Sequence, residues 1–367
     1  MQLFPTVFFI FTVTALASPV RHPIPVPTLS PTTAPLSGTK DLITHTLKYT
    51  PTKSPPKRTS ISTSIIAGHK PMTTKATKKT ITTTGTTGRR AFVHRGFMLD
   101  TSRKFFPITS IYRLIDGMAA ARMNVFHWHL TDNEGFNVEW SYDNMRLTRL
   151  TNNGGYYTHK DLMAVVAYAA ARSIEVIPEI DIPGHVGAWG RVYPNLMLAG
   201  TNDEFDVSNP AVFPLVATLT KEITPMFSSR SAHFGFDETS NTPAEIAKAL
   251  NFVENLSITA LGKCPVIWDD PITSHGLSPS HNFTVQVWTD MAALSTVLTA
   301  GYHTIVSVSS HWYIGNSSPK KFIWPKSDLI LGGELAWWTS PSDDPLDIDW
   351  VIDLIAEAGV VLWGDGI

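Results

Sequence analysis

From Ala91 onward one pattern repeats along the chain. A short apolar run rich in β-branched and aromatic residues is followed by a stretch with helical spacing. The runs are HRGFMLD (94–100), NVFHWHLTD (124–132), IEVIPEID (174–181), HFGFDE (233–238), PVIWDD (265–270), FTVQVWTD (283–290), HTIVSVSSHW (303–312) and LILGGELAWW (329–338). Between several of them lie amphipathic stretches. ITSIYRLIDGMAAARM sets Ile111, Leu114, Ile115 and Met118 on one face, and HKDLMAVVAYAAARS and AVFPLVATLTKEITPMF behave alike. Nearly continuous apolar strands alternating with helices predict a parallel sheet covered on both faces. Eight such units in the span available fit a closed (β/α)8 TIM barrel over residues 91–367. A doubly wound open sheet is the alternative, but no Gly-rich phosphate turn follows the first strand.

Residues 18–90 break the pattern. They are rich in Thr, Ser, Pro and Lys, carry 12 Lys/Arg against the single acid Asp41, and show no lasting period. Such a composition does not bury enough surface to offset chain entropy, and it predicts a disordered linker or a degenerate N-terminal domain. Its charge suits an acidic polysaccharide or a cell wall; a solvated spacer without a partner is the plainer reading. The body is acidic, so the net charge of −2 conceals two opposite halves. Residues 1–17 end an apolar run in Ala15-Leu16-Ala17, the pattern of a cleaved signal peptide. Sequons at Asn255, Asn282 and Asn316 suit the secreted glycoprotein this predicts. No later segment is apolar enough to span a bilayer. The one cysteine, Cys264, forbids an internal disulfide and is expected to be a small buried residue.

In a barrel of this kind the active site lies at the C-terminal ends of the strands. Asp100, Asp132, Asp181, Asp237, Glu238, Asp269, Asp270, Asp290 and Glu334 all fall at or near such ends. So do Trp268, Trp288, Trp312, Trp337 and Trp338. Helix capping accounts for Asp290, Asp100 and Asp270. It does not account for tryptophan at strand after strand. Acids beside indoles point to carbohydrate, because pyranose rings stack on indole while carboxylates handle hydroxyls and protons.

HRGFMLDTSRKFFP, NVFHWHLTDNEGF, VIPEIDIPGH and HFGFDE, followed by VIWDD, VQVW, SSHWY and LGGELAWW, occur in one order over roughly residues 91–338. In this the body resembles glycoside hydrolase family 20, the β-N-acetylhexosaminidases, as a divergent member. The resemblance implies retaining, substrate-assisted hydrolysis of terminal β-linked N-acetylhexosamine (GlcNAc or GalNAc), including fragments of chitin. It implies that Glu238 is the acid/base and that Asp237 steers the 2-acetamido group. Asp132, Asp181 and His185 would form a supporting network. Arg103 would bind sugar hydroxyls, Tyr313 would donate to the acetamide oxygen, and Trp268, Trp288 and Trp338 would wall the pocket. No cofactor or metal is implied, and the partner is an oligosaccharide or glycan rather than nucleic acid. A nearby Asp237 anion is expected to raise the pKa of Glu238.

Three positions depart from the resemblance. Phe236 stands where a glycine is usual, and it either faces the outer helices or crowds the acid pair. Gly315 and Ser340 stand where groups for the C4/C6 hydroxyls are usual, unless Asn316 takes one role. The alternative these departures suggest is a catalytically impaired, secreted carbohydrate-binding barrel. A further alternative is a metal-dependent amidohydrolase, because His127 and His129 share a strand face with Asp132 nearby. The eighth strand lacks the aspartate that such a site needs.

Overall fold

The structure is a computed structural model and describes residues 91–364; the signal peptide and linker expected over residues 1–90 lie outside the described residues. Eight parallel strands close in sequence order: β1 His94–Asp100, β2 Val125–His129, β3 Glu175–Ile182, β4 Ser231–Gly235, β5 Cys264–Trp268, β6 Thr284–Val287, β7 Thr304–Val306 and β8 Ile330–Trp337. The closing pair sets Gly96 beside Glu334 and Met98 beside Ala336. The eightfold barrel expected from the pattern is therefore present.

Alternate strand residues face opposite sides. Outward residues such as Phe97, Phe126, Trp128 and Leu335 pack under the helices. Helix Ile108–Ala120 buries Ile111, Leu114, Ile115 and Met118 completely. Each such side chain contributes about 1.5–3 kcal/mol over its exposed state. Helices His159–Ala170 and Pro243–Asn255 begin with reciprocal capping boxes, Thr158 with Asp161 and Thr242 with Glu245, which satisfy first-turn amides.

Two units are not full strand–helix pairs. Single turns, Asp270–Thr273 and Ser309–Trp312, follow β5 and β7. Pro271, Gly276 and Pro279 interrupt the first connection, and Pro319 and Pro325 the second, so neither sustains a longer helix. Cys264 differs from expectation. It is exposed, because it opens β5 at the end of the barrel opposite the acids. Among the described residues no helix is long and apolar enough to cross a membrane.

Candidate active site

The chain leaves β4 at Gly235 and turns sharply, with φ of +68° at Gly235, +75° at Phe236 and +48° at Glu238. Glycine is needed at 235 on two counts. A Cβ there would lie 1.6 Å from Asp181 Oδ1, and the backbone is left-handed. Phe236 takes that conformation despite its bulk, fixed by its N–H donating to Ile182 O at 2.9 Å. Its ring is fully buried in the apolar core, so it faces away from the acids rather than crowding them.

The same turn carries Asp237 and Glu238 to the barrel mouth. Asp237 is nearly buried, while the Glu238 side chain is 59% exposed. His185 stands between them, with Nε2 3.4 Å from both Asp237 Oδ2 and Glu238 Oε2. Its Nδ1 lies 3.5 Å from Asp132 Oδ1. Burial opposes its charge, but the surrounding Asp132, Asp237 and Glu238 carboxylates win and raise its pKa far above the usual histidine range. Asp132 is held far below the carboxylate range: burial opposes this, and His129 and His185 outweigh burial. Arg103 joins Asp132 at 2.8 Å and Asp100 at 3.0 Å and lies over the Trp338 ring.

Glu238 departs from expectation. Its pKa is lowered, first by His185, whose Nε2 lies 3.4 Å away. His185 and Arg103 outweigh burial and Asp132, so the free site favours Glu238 as a carboxylate. Asp181 behaves oppositely. Burial and then Asp237 push it well up, and neither of its oxygens has a hydrogen-bond partner. It sits in the buried layer under the acid pair, where burial favours its neutral form.

A cavity of about 190 Å³ is lined by Arg103, His185, Asp237, Glu238, Trp288, Tyr313 and Trp338. Seven residues singled out from the sequence thus converge on one site. Trp288 and Tyr313 are nearly parallel, with planes 12° apart, and Trp338 closes the angle at 58° to Tyr313. Burial keeps the Tyr313 phenol protonated and able to donate. Trp268 is placed differently from the pocket wall expected of it. It is fully buried one layer below, donating to Glu179 Oε1 at 3.0 Å and packing against Trp338. Trp312 and Trp337 belong to the core. Gly315, Asn316 and Ser340 do not line the cavity; Asn316 donates to Ser309 O and Ser340 pairs with Ser342.

Sequence reasoning undervalued Asp269 and Asp270. Asp269 accepts from the Trp288 N–H and the Thr289 hydroxyl, and Asp270 accepts from Trp288 Nε1 at 2.7 Å and from the Glu238 N–H at 3.2 Å. Burial, then Asp237, raises Asp270 to about 7. Asp290, by contrast, caps its helix as expected, accepting from Ala293 N–H. His127 with Glu179 and His233, and His129 with Glu179 and Asp181, are buried clusters with ligand atoms within 4.8 Å of one another. His127 Nδ1 and both nitrogens of His129 are engaged by carboxylates below the cavity floor.

The family profile described as "Glycosyl hydrolase family 20, catalytic domain" matches residues 92–328. Beta-hexosaminidase subunit A1 of Dictyostelium discoideum is 32% identical over 290 residues, which cover 66% of this chain and 54% of that protein. The human beta-hexosaminidase subunit beta is 30% identical over 298 residues, covering 67% and 52%. The chain spans about half the length of the curated relatives it matches. Among solved structures, the GH20 β-N-acetylhexosaminidase of Streptomyces coelicolor A3(2) superposes with a TM-score of 0.65 at 25% identity, covering 74% of this chain and 64% of that one. A Streptomyces plicatus β-hexosaminidase solved with GlcNAc gives 0.66 at 25%, with the same coverages.

Proposed function

The chain belongs to glycosyl hydrolase family 20, and from that premise we propose that it is a β-N-acetylhexosaminidase that removes terminal β-linked N-acetylhexosamine with retention. The observation that carries the reading is the convergence of Asp237, Glu238 and His185 on a cavity walled by Trp288, Tyr313 and Trp338. The cavity is smaller than the roughly 300–1,000 Å³ that envelops a drug-sized ligand, which suits one terminal sugar rather than a chain threaded through.

The two acids have different tasks. Asp237 lines the cavity and accepts the acetamide N–H. Tyr313 donates to the acetamide oxygen, which turns that oxygen onto the anomeric carbon. Attack forms an oxazolinium-like ion and breaks the glycosidic bond while Glu238 gives the leaving oxygen a proton. Glu238 then takes a proton from the water that opens the ion. Asp237, 3.4 Å from His185 Nε2, offsets the positive charge as it builds.

The reading extends to a secreted glycoprotein acting on chitin fragments or glycoprotein glycans. The Ala-Leu-Ala pattern at 15–17 and the exposed sequon residues Asn255, Asn282 and Asn316 support that extension. The test is hydrolysis of an aryl β-N-acetylglucosaminide by the purified full chain. Glu238→Gln should lower kcat about 10²–10⁴-fold on substrates with poor leaving groups. An unchanged rate would remove Glu238 from the acid/base role.

A further inference from the structure

The interior of a (β/α)8 barrel is ordinarily filled by branched apolar side chains. Here several inward positions of β1, β2, β3 and β8 carry ionisable groups: His94, His127, His129, Glu179 and Glu334, all buried. None lines the cavity. Buried charge is costly unless it is paired and hydrogen-bonded, and these groups are paired in strict alternation. His94 Nε2 meets Glu334 Oε2 at 2.8 Å, and Glu334 Oε1 meets His127 Nδ1 at 2.7 Å. His127 Nε2 lies 3.1 Å from Glu179 Oε2, off the hydrogen-bond direction. Glu179 Oε2 meets His129 Nδ1 at 2.5 Å, and His129 Nε2 meets Asp132 Oδ2 at 2.9 Å. Asp132 then faces His185, which faces Glu238. The chain of contacts runs the length of the barrel, from the start of β1 to the acids at its mouth.

The surroundings are built for it. A Cβ at Gly96 would lie 2.3 Å from Glu334 Oε2 and 2.6 Å from His94 Nε2, so glycine there leaves room for the link. Gln286 donates to Glu334 at 2.8 Å, and Trp268 to Glu179 at 3.0 Å. The other charged or titratable neighbours are His233, 2.8 Å from Glu179, Asp181 near Glu179 and Asp237, and Arg103 with Asp100 beside Asp132.

We propose that this axial column of alternating histidine and carboxylate is a positioning device: it keeps His129 charged, which fixes Asp132 as an anion turned onto His185, and so sets where the proton lies between His185 and Glu238. The proposal rests on the hydrolase reading for its purpose, but the column's charge state does not. Glu334 with His127, Glu179 with His129, and Asp132 with His185 are three neutral pairs stacked along the axis. Burial opposes charge on His127, and Glu334 and Glu179 overcome it, raising its pKa to about 9. Burial likewise opposes His129, and Glu179 and Asp132 overcome it. His233 is the neutral histidine, pushed down by burial.

The direct measurement is the ¹⁵N imidazole spectrum of the unmodified full chain at pH 7.5, assigned by single His→Gln variants. His127 and His129 should show two protonated ring nitrogens each, and His233 should be neutral. A neutral His127 or His129, with or without one zinc bound per chain, overturns the column. The kinetic arm uses Glu179→Gln and Glu334→Gln, which keep shape and remove charge. Glu179→Gln should lower kcat at least tenfold with KM within about threefold, and should shift the pH profile of kcat; Glu334→Gln should do the same to a smaller extent. Rates are referred to sites titrated with a thiazoline-type inhibitor, so loss of folded protein does not count. Unchanged kcat and pH profile per titrated site in both variants overturns the positioning role. If Glu179→Gln does not fold, Glu334→Gln and the unmodified chain's spectrum decide. If the unmodified chain hydrolyses no hexosaminide while His127 and His129 are cationic, the hydrolase reading falls and the charged column stands without that purpose.

Discussion

Phe236 offers an unusual stability test, because two effects of known sign meet at one residue. Its ring is fully buried, and its backbone sits at φ +75°. Truncating a buried phenylalanine costs about 3–5 kcal/mol through lost transfer energy and the cavity left behind. An L-residue in the left-handed region costs about 1–2 kcal/mol that glycine does not. Phe236→Ala keeps that strain and loses the ring. Phe236→Gly also loses the ring but is relieved of the strain, against a chain-entropy penalty of about 0.5–1 kcal/mol. Both variants should therefore be less stable than the parent by several kcal/mol, with the glycine variant the more stable of the two by up to about 1 kcal/mol. That order is the reverse of the usual one in regular structure. Guanidinium midpoints at constant slope measure it, and a thermal scan should separate the two variants by roughly 2–4 °C per kcal/mol. Alanine equal to or better than glycine would show that the backbone at 236 is not strained. Near-parental stability of both would show that the ring is not in the core. Because the ring faces away from the cavity, KM per folded site should stay within a few-fold; a large gain in kcat would revive the reading in which Phe236 crowds the acids.

Other expectations follow from the same contacts. Trp338→Ala should raise KM about tenfold, as the loss of roughly 0.5–1.5 kcal/mol of stacking compounds the loss of the surface under Arg103; an unchanged KM on an aryl glycoside would move the sugar off that wall. Asp270 has a folded pKa raised to about 7, so its ionisation destabilises the fold as pH rises from about 4 to 7. Asp270→Asn should therefore gain stability relative to the parent at pH 8 compared with pH 4, by roughly 4 kcal/mol at most; equal differences at the two pH values would contradict the shift. For the axial column, His127 is raised to about 9, so its contribution is complete below about pH 6.5 and lost as pH climbs through about 9. Glu179 and Glu334 are depressed, so theirs is complete above about pH 4.5 and lost on acidification. The thermal midpoint should peak between about pH 4.5 and 6.5, and a maximum above pH 8 would count against a charged column.

Local pattern carried the barrel and its order. HRGFMLD is β1 residue for residue, and the apolar face of the first helix is the buried one. What local pattern could not carry was depth. Trp268 and Trp288 follow the same kind of run, yet β5 places the first under the cavity floor while Trp288, past the end of β6, reaches the wall. Only three-dimensional register separates them. Asp270 was readable as a helix cap because it stands at the head of a turn, but its side chain turns toward Glu238 and Trp288 instead. The column had one visible sign: polar residues at spacing two in otherwise apolar strands, His127 with His129 and Glu179 with Asp181. That spacing predicts a shared face. It does not say that β1 and β8 supply His94 and Glu334 to the same axis, since those contacts span 240 and 207 positions of sequence.

The depressed pKa of Glu238 bears on the acid/base role proposed for it. A general acid must hold a proton, yet in the free site His185 holds Glu238 as a carboxylate. The two facts fit if the proton belongs to the pair. His185 Nε2 and Glu238 Oε2 are 3.4 Å apart, and His185 retains its proton far above the usual histidine range. A sugar entering the cavity strips water from the exposed Glu238 side chain, which favours its neutral form. The proton then moves from His185 to Glu238 without being drawn from solvent, and Asp132 remains 3.5 Å from Nδ1 of the imidazole it leaves behind. On this account the loss of kcat/KM at high pH reports the pair, not an isolated carboxyl. The basic limb should therefore lie well above the carboxylate range. His185→Gln removes the reservoir, so its basic limb should fall toward the range of an ordinary glutamate, with KM less affected than kcat. A basic limb already near pH 4–5 in the parent chain, or one that His185→Gln leaves in place, would show that Glu238 draws its proton from elsewhere.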